Sequence, residues 1–289
     1  MGKFRSSSSR LVRLRNLRFC GIMRPYYHPM RPLLSCVFLI LLAACAEAPA
    51  PAVEKAVVAQ PVVVKKFGAG TGDNELSEAE AAEGFMLLFD GENADTHFKG
   101  YDRSVFPYGG WKVRDGVLVL ENPGETGGDL ITKAQYDNFD LRLDFALTET
   151  ANTGIFYLAP EVAGAPIWNN APEYQLLDDP TYMKVQGADM MTSKLTGDVF
   201  GLYDGNPGNF RPDGQWNSAR IVHQDGVVTH YLNRKQTLQY TIGDNAWDEL
   251  IAGTKFKAYP DFGRAERGHI GLQDHGQVAY FKNIRIKAL

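Results

Sequence analysis

Three side chains that can exchange protons stand in or beside short apolar runs: Glu173, Asp178 and His275. The run 173–177 alternates, which places Glu173 and Gln175 on one face of a predicted strand and its apolar side chains on the other. The run 268–276 alternates as well and directs His275 outward. A carboxylate, an amide and an imidazole are therefore available for general acid–base chemistry.

Further outward polar and aromatic side chains follow from the same alternation. Trp216 and Arg220 share one face of a strand, and Gln273 shares the outward face with His275. If these strands neighbour one another in a single sheet, their outward faces form one groove, lined by Glu173, Gln175, Trp216, Arg220, Gln273 and His275. An aromatic plane beside forked polar groups suits a sugar ring and its hydroxyls, so we predict a carbohydrate-binding groove on that assumption.

The elements that must hold these residues are predominantly strands. Ten or more short alternating segments follow residue 111 and are separated by turns rich in Gly and Asn. Asp115-Gly116 and Asp225-Gly226 each lie between two such segments and predict two-residue hairpins. The pattern indicates an all-β fold, either a sandwich or a jelly roll.

Two short helices are predicted beside the strands. Ser77 and Glu80 have the spacing of a capping box, so a helix is expected to open the folded unit near residue 77. Asp244 can cap a second helix, whose apolar stripe includes Trp247 and would cover one edge or end of the sandwich.

Charge is divided unevenly along the 289 residues, which hold 30 Lys and Arg against 34 Asp and Glu. Residues 1–44 contain eight of the basic residues and no acidic one, which leaves 22 basic and 34 acidic residues, a net charge of −12, for the rest. This composition excludes a basic nucleic-acid binder and a polytopic membrane protein, and we predict no nucleic-acid partner. The three cysteines are Cys20, Cys36 and Cys45, so the later sequence has no disulfide framework or thiolate ligand.

The basic leader has the features of an export signal. Residues 33–44 form a 12-residue apolar run after arginines, too short to span a bilayer, and the run ends in Leu-Ala-Ala before Cys45. This ending resembles a bacterial lipobox and predicts a lipid anchor at Cys45, with a periplasmic or cell-surface location, most readily at the outer membrane. The alternative is an ordinary secretory signal with Cys45 incidental, and Met1, Met23 and Met30 are all candidate start residues.

Three segments follow from these observations: a signal peptide over 1–44, a lipidated Cys45 with an Ala-, Pro- and Val-rich tether over 45–76, and a folded domain over 77–289.

Six motifs occur in order along the folded domain: GFMLLFDG at 84–91, NTGIFY at 152–157, EYQLLD at 173–178, WNSARI at 216–221, GHIGLQDHG at 268–276 and FKNIRI at 281–286. Together they closely resemble the 3-keto-disaccharide hydrolase domain family over about residues 77–289. The resemblance implies a concanavalin-like jelly roll of two antiparallel sheets. It also implies an exported enzyme for 3-keto-glycosides that a partner sugar oxidoreductase produces. The stretches 95–98 and 182–196 depart from the family pattern and fall where loops would shape substrate choice.

The implied chemistry uses the acidity that a C3 carbonyl gives to the C2 hydrogen, so that the glycosidic bond breaks by elimination and hydration completes net hydrolysis. Glu173 or His275 can serve as the base, and Arg220 can stabilise the enolate or instead form an interstrand ion pair, for example with Asp144. Asp178 and Asp274 can orient His275 or bind a metal, while Asp178 can also simply cap a turn.

Other predicted substrate contacts are Gln175, Gln273, Asp274, Asp144, Asn152 and Trp216, with a structural role as the alternative for Asn152 and a buried position for Trp216. No cofactor is required by a motif. A divalent cation on the enolate oxygen is compatible with the chemistry, although the sequence has no spaced ligand motif.

Three functions are consistent with the sequence. The first is a lipid-anchored enzyme that cleaves 3-keto-glycosides by C2 proton abstraction. The second is a non-catalytic glycan-binding module on the same scaffold. The third is an ordinary glycoside hydrolase, which needs two suitably spaced carboxylates.

Overall fold

The structure is a computed structural model that describes residue 70 and the ranges 72–121, 127–205 and 209–289. The predicted signal peptide, Cys45 and nearly all of the predicted tether lie outside the described residues. Within the described part of the chain, no helix is long and apolar enough to cross a membrane.

The described residues form thirteen strands and three α-helices. The strands are β1 (Met86–Leu87), β2 (Phe98–Gly100), β3 (Trp111–Arg114), β4 (Val117–Leu120), β5 (Leu130–Thr132), β6 (Phe139–Leu147), β7 (Asn152–Ala159), β8 (Glu173–Leu177), β9 (Asn217–Gln224), β10 (Val227–Leu232), β11 (Lys235–Thr241), β12 (His269–Leu272) and β13 (Ala279–Ala288). The helices are α1 (Glu78–Ala82), α2 (Asp179–Gln186) and α3 (Asn245–Ala252), with 3₁₀ turns at Ala94–Thr96, Ile167–Asn169, Ala188–Met191 and Lys255–Ala258.

These strands form two antiparallel sheets, which confirms the predicted jelly-roll sandwich. The larger sheet has the order β11-β10-β9-β6-β13-β4-β3, with β1 also paired to β13, and the smaller has the order β2-β5-β12-β7-β8. Strands β8 and β12 therefore lie in the same sheet, separated by β7, whereas β9 lies in the other. The assumption that all three present their outward faces to one groove is wrong.

Both predicted hairpin turns are confirmed. Asp115-Gly116 joins β3 to β4 and Asp225-Gly226 joins β9 to β10, and all four residues have positive φ angles, between 49° and 84°. A two-residue turn of this hand matches the twist of the flanking strands, which is why Asp-Gly pairs are good predictors.

The core lies between the sheets and follows the alternation that the sequence shows. In β6, Phe139, Leu141 and Phe145 are buried in the core, while Arg142 and Asp144 point to the outer face of the larger sheet. Burying such side chains contributes about 1.5–3 kcal/mol each, so the alternation of one strand fixes which face it presents to solvent.

Capping side chains begin α1 and α3 as predicted. Ser77 accepts a hydrogen bond from the backbone of Glu80, whose carboxylate accepts one in return from the Ser77 amide. Asp244 accepts a hydrogen bond from the Trp247 amide at 2.7 Å, and α3 buries Trp247 against the core.

Packing of the domain starts slightly earlier than residue 77. Asp73 accepts hydrogen bonds from Lys282 at 2.6 Å and from Asn283 at 2.9 Å, and Asn74 donates to the Gly116 carbonyl. Residues 73 and 74, placed by the sequence in the tether, are thus attached to β13 and to the β3–β4 turn.

Gly268 is expected to be the glycine whose replacement most damages the fold. A Cβ at this position would lie 2.2 Å from the Leu158 carbonyl carbon and 2.4 Å from the Ala159 nitrogen, both rigid backbone atoms. We expect Gly268→Ala to lower the free energy of unfolding by about 3 kcal/mol, measured by urea denaturation. Gly253→Ala is the control, since its Cβ would meet only ordinary contacts at 3.5 Å and beyond; equal stability of the two variants would contradict the prediction.

Candidate active site

A cleft opens on the outer face of the smaller sheet, across β8, β7 and the segment that follows β12. Most of its polar lining comes from the sheet and the segment after β12, whereas Lys255 and the apolar walls come from the loops around residues 167–171, 200 and 255–262. The described residues that line it are Asn152, Trp168, Ala171, Glu173, Gln175, Phe200, Lys255, Phe256, Phe262, Gln273 and His275. The cleft encloses about 170 Å³, less than a pocket for a drug-sized ligand, so it suits one small polar ring.

Glu173 is the carboxylate of this cleft. Its side chain is held at 7% exposure on β8 and makes no hydrogen bond or ion pair with any described residue. A Cβ on Gly154 of the neighbouring strand would lie 2.1 Å from Glu173 Oε1, so the absence of a side chain there creates the room for the carboxylate. Burial raises the pKa of Glu173 to about 8, which makes this group a far stronger base than an exposed glutamate.

Two charged groups influence that carboxylate in opposite directions. The negative charge of Asp129, just before β5, adds to the rise in the pKa of Glu173, while the positive charge of Lys255 opposes it. Asp129 itself is desolvated, which raises its pKa to about 6, and it accepts a hydrogen bond from the Asp274 amide at 2.8 Å.

Lys255 brings a cation to the cleft from the 3₁₀ turn before Tyr259. Its ammonium lies 4.5 Å from the ring centre of Phe200, 5.2 Å from that of Phe256 and 5.7 Å from that of Trp168. Desolvation lowers the pKa of Lys255, against the opposing effect of Glu173. These rings attract the cation through their electron-rich faces, and Lys255 forms no ion pair with Glu173.

A chain of amides orients the imidazole on the other side of the cleft. Gln175 Nε2 donates to Asn152 Oδ1 at 2.8 Å, and Asn152 Nδ2 lies 3.4 Å from His275 Nε2. Because the amide nitrogen can only donate, His275 is the acceptor in this contact, through Nε2. Asn152 therefore positions His275, and the predicted sharing of one face by Glu173 and Gln175 is realised.

Gln273 supplies a polar atom without a partner. Its backbone is fixed by a hydrogen bond to the Gly154 carbonyl at 2.9 Å, yet its buried side-chain Oε1 has no hydrogen bond to any described residue. An unpartnered buried acceptor costs about 1–3 kcal/mol, and a donor on a bound ligand would recover it.

Asp178 and Asp274 accept hydrogen bonds from loop backbone, and their catalytic and substrate-binding roles stay predictions. Asp178 Oδ2 accepts from the Thr150 amide at 2.9 Å and fixes the turn between β6 and β7. Asp274 accepts from the amides of Gly128 at 2.7 Å and Gly276 at 3.1 Å. Neither is among the described residues that line the cleft. The Asp274 contacts fix the turn that carries His275.

Arg220, Trp216 and Asp144 lie on the outer face of the larger sheet, away from the cleft, because β6 and β9 belong to that sheet. Arg220 forms a bidentate ion pair with Asp140 at 2.9 Å, so the predicted alternative of an interstrand ion pair holds, with Asp140 as the partner. Asp144 accepts from Asn283 at 2.7 Å, and Lys282 lies 4.4 Å from the ring centre of Trp216.

The residues that sequence reasoning missed come from loops. Lys255, Trp168, Phe200 and Asp129 all lie outside the long alternating runs, so period-two analysis gives them no face. Trp168 is 38% exposed, an unusual position for a tryptophan, but exposure is not visible in a sequence. The Gly-Thr-Lys-Phe-Lys stretch at 253–257 carries no chemical motif by itself.

Ligands for a metal ion are sparse in this cleft. Among the described residues there is no group of three His, Asp or Glu side chains placed to hold a metal ion. The cleft offers one carboxylate, Glu173, and one imidazole, His275, beside three amides and the lysine.

The comparisons with known proteins connect this jelly-roll sandwich, with its small polar cleft walled by aromatic rings, to carbohydrate-active proteins. The family model of the 3-keto-alpha-glucoside-1,2-lyase-like domain matches residues 84–287. A curated 3-keto-disaccharide hydrolase from Bacteroides thetaiotaomicron is 31% identical over 234 residues, which cover 72% of this chain and 79% of the relative.

Two crystal structures from Parabacteroides distasonis ATCC 8503, both named as glycosyl hydrolases, share the fold. The first has a TM-score of 0.67 at 33% identity and covers 75% of this chain and 99% of its own. The second has a TM-score of 0.51 at 22% identity, over 66% of this chain and 99% of its own. The chain belongs to the 3-keto-alpha-glucoside-1,2-lyase-like domain family, and its relatives place it among carbohydrate-active hydrolases.

Proposed function

We propose that this protein cleaves glycosides carrying a carbonyl at C3 and that Glu173 is the base that removes the C2 proton. The observation that carries the proposal is the state of Glu173: a buried carboxylate, without a hydrogen-bond partner among the described residues, aimed into a sugar-sized cleft. The name of the Bacteroides relative supplies the substrate class. A raised pKa matches this role, because a carbon acid next to a ketone needs a stronger base than an exposed carboxylate.

The reaction balances as an elimination followed by a hydration. Glu173 takes the C2 proton, and the C–H electron pair forms the C2=C3 double bond of an enolate, whose oxygen lies toward the Lys255 ammonium. The C3 carbonyl then re-forms, a C1=C2 double bond is made, and the C1–O bond breaks. The departing oxygen takes a proton from His275 or water. Addition of water across C1=C2 then gives the free keto sugar.

The other residues that line the cleft bind the sugar. Gln273 Oε1 can accept a hydrogen bond from a sugar hydroxyl and so gain the partner that it lacks. Trp168 and Phe200 offer apolar faces to the C–H side of the ring. An ordinary two-carboxylate mechanism has weaker support, since Glu173 is the sole carboxylate among the described residues that line the cleft.

A pair of matched substrates tests the proposal. Purified protein is incubated with a 3-keto-glucoside and with the unoxidised glucoside of the same aglycone. Release of aglycone from the keto form alone supports the proposal. Release from both identifies an ordinary glycoside hydrolase, and binding without turnover identifies a glycan-binding module. Running each reaction with EDTA and with added Mn²⁺ tests the divalent-cation prediction.

The pH dependence of kcat/KM should report the pKa of Glu173 in the free enzyme. As a base, Glu173 acts when deprotonated, so kcat/KM is expected to rise tenfold per pH unit below its pKa and to level off above about pH 8. The measurement is initial rates at low substrate between pH 5.5 and 9.5. A rate that falls as the pH passes 8 would instead make Glu173 the acid that protonates the leaving group.

Export and supply of the substrate belong to the same proposal. The leader supports a lipid anchor at Cys45, and the substrate requires an oxidoreductase that oxidises the C3 hydroxyl of a glycoside. Metabolic labelling with a clickable fatty acid tests the anchor. A label that is present on the wild type and lost in Cys45→Ser supports the anchor, whereas an unlabelled wild type contradicts it.

A further inference from the structure

A second polar groove lies on the outer face of the larger sheet, the opposite side of the sandwich from the cleft. It consists of two adjoining cavities of about 400 Å³ and 480 Å³, which share Asp144, Ser218 and Arg234. Both cavities are larger than the cleft on the smaller sheet. Nothing in the proposed reaction uses this groove.

The acidic groups of this face already have partners. The contacts are Glu80 with Arg285 at 2.7 Å, Asp140 with Arg220 at 2.9 Å, Asp73 with Lys282 at 2.6 Å and Asp144 with Asn283 at 2.7 Å. The first three carboxylates pair with cations, whereas Asp144 accepts from a neutral amide and lines both cavities. Against these four carboxylates the groove and its border hold six cations, namely Arg142, Arg211, Arg220, Arg234, Lys282 and Arg285.

Two arginines of the groove remain available to a ligand. Arg234 makes no hydrogen bond or ion pair with any described residue, and Arg211 makes one long hydrogen bond from its side chain, to the Trp216 carbonyl at 3.5 Å. Ser218 lines the same cavity, and its hydroxyl is likewise without a partner among the described residues. The groove thus carries about two uncompensated positive charges on a domain whose overall charge is negative.

Arg234 is held at the groove by a rigid turn. Asn233 and Arg234 join β10 to β11 with φ angles of 49° and 70°, and glycine is the preferred residue at the second of these positions. The Asn233 side chain fixes the turn through hydrogen bonds with Ser218, Asn209 and Asn217 at 2.7–2.9 Å. A charged side chain thus occupies a place where glycine would be less strained, which is typical of functional positions.

Aromatic rings complete the groove. Trp216 lines one cavity and Tyr231 the other, and a cation rests on each ring: Lys282 at 4.4 Å from the first centre and Arg220 at 4.9 Å from the second. Each cation packs against one ring and so helps to fix its orientation. Flat rings beside free guanidinium groups suit a sugar ring that bears a carboxylate.

We propose that this groove is a second glycan-binding site, which takes an oligosaccharide carrying carboxylates, with Arg234 and Arg211 pairing with the acidic groups and Trp216 stacking on a ring. Its position on the opposite sheet lets the enzyme hold an acidic glycan while the cleft works independently. Charge complementarity selects this occupant over a neutral glycan.

Arg234→Gly is the decisive variant, because glycine relieves the positive φ and should leave the melting temperature equal or higher. The probe is a short oligogalacturonate, with a neutral cello-oligosaccharide of the same length beside it, titrated calorimetrically at low and at physiological salt. We expect binding of the oligogalacturonate alone, weakened by salt and about 10- to 100-fold weaker in the variant. Lys235→Ala, at the exposed neighbouring residue, is the matched control and should bind as the wild type does.

Other results would overturn the site. These are equal binding by Arg234→Gly and wild type, tighter binding of the neutral oligomer, no binding of the oligogalacturonate, or binding only to vesicles of anionic phospholipid. Turnover of the 3-keto-glucoside in the cleft should be unchanged in Arg234→Gly, so a failure of this site leaves the proposed reaction untouched.

Discussion

Glu173→Gln is expected to lower kcat/KM on a 3-keto-glucoside by about 10³-fold while the fold remains intact. Glutamine matches the shape of the carboxylate and fits beside Gly154, but it cannot take a proton from C2. Steady-state kinetics on the purified variant measures the loss, and circular dichroism with thermal melting checks the fold.

The stability of the same variant has an expected sign. Because burial raises the pKa of Glu173 from 4.5 to about 8, its protonated form favours folding, and this contribution is lost as the pH rises through 8. Glutamine stays neutral at every pH. The melting temperature of the variant should therefore be higher than that of the wild type at pH 9 and nearly equal to it at pH 4. A group placed for chemistry at the expense of stability behaves in this way.

Glu161→Gln is the matched control for both measurements. Glu161 is exposed and pairs with Lys99 at 2.7 Å, outside the cleft, so its loss should change kcat/KM by less than about twofold. If Glu173→Gln keeps wild-type turnover, or if both variants lose the same activity, Glu173 is not the base.

Alternation within a strand allowed much of the fold and half of the cleft to be predicted. Glu173 and Gln175 face the cleft because Tyr174 and Leu176 are drawn into the core, and that division is local to one strand. The two Asp-Gly turns and the Ser77 capping box were equally local, since each depends on residues at most four positions apart.

Strand order was not predictable, because it depends on contacts between segments far apart in the chain. Arg220 and Glu173 are both outward on their strands, yet β9 pairs with β6 and β10 while β8 pairs with β7, so the two residues lie on opposite sheets. Sequence alternation describes each strand alone and carries no record of which strands are neighbours. The sequence therefore predicts Arg220 as the cation of the cleft, whereas in the structure Lys255 lines the cleft.

Lys255→Met is expected to lower kcat by about 10²- to 10³-fold, because the enolate oxygen loses the one cation of the described cleft. Methionine preserves the contacts with Phe200 and Phe256, so packing changes little. Lys255→Arg keeps the charge with a different reach and should recover part of the rate.

A shift in the pH profile separates this electrostatic role from a merely structural one. Lys255 lowers the pKa of Glu173, so its removal should move the rising limb of kcat/KM to higher pH, while Lys257→Met, at an exposed residue of the same turn, should leave the limb in place. A large loss of kcat without that shift would mean that Lys255 acts away from Glu173. An unchanged kcat would mean that Lys255 does not stabilise the enolate. The reaction would then depend on Glu173 with the amides and imidazole of the cleft.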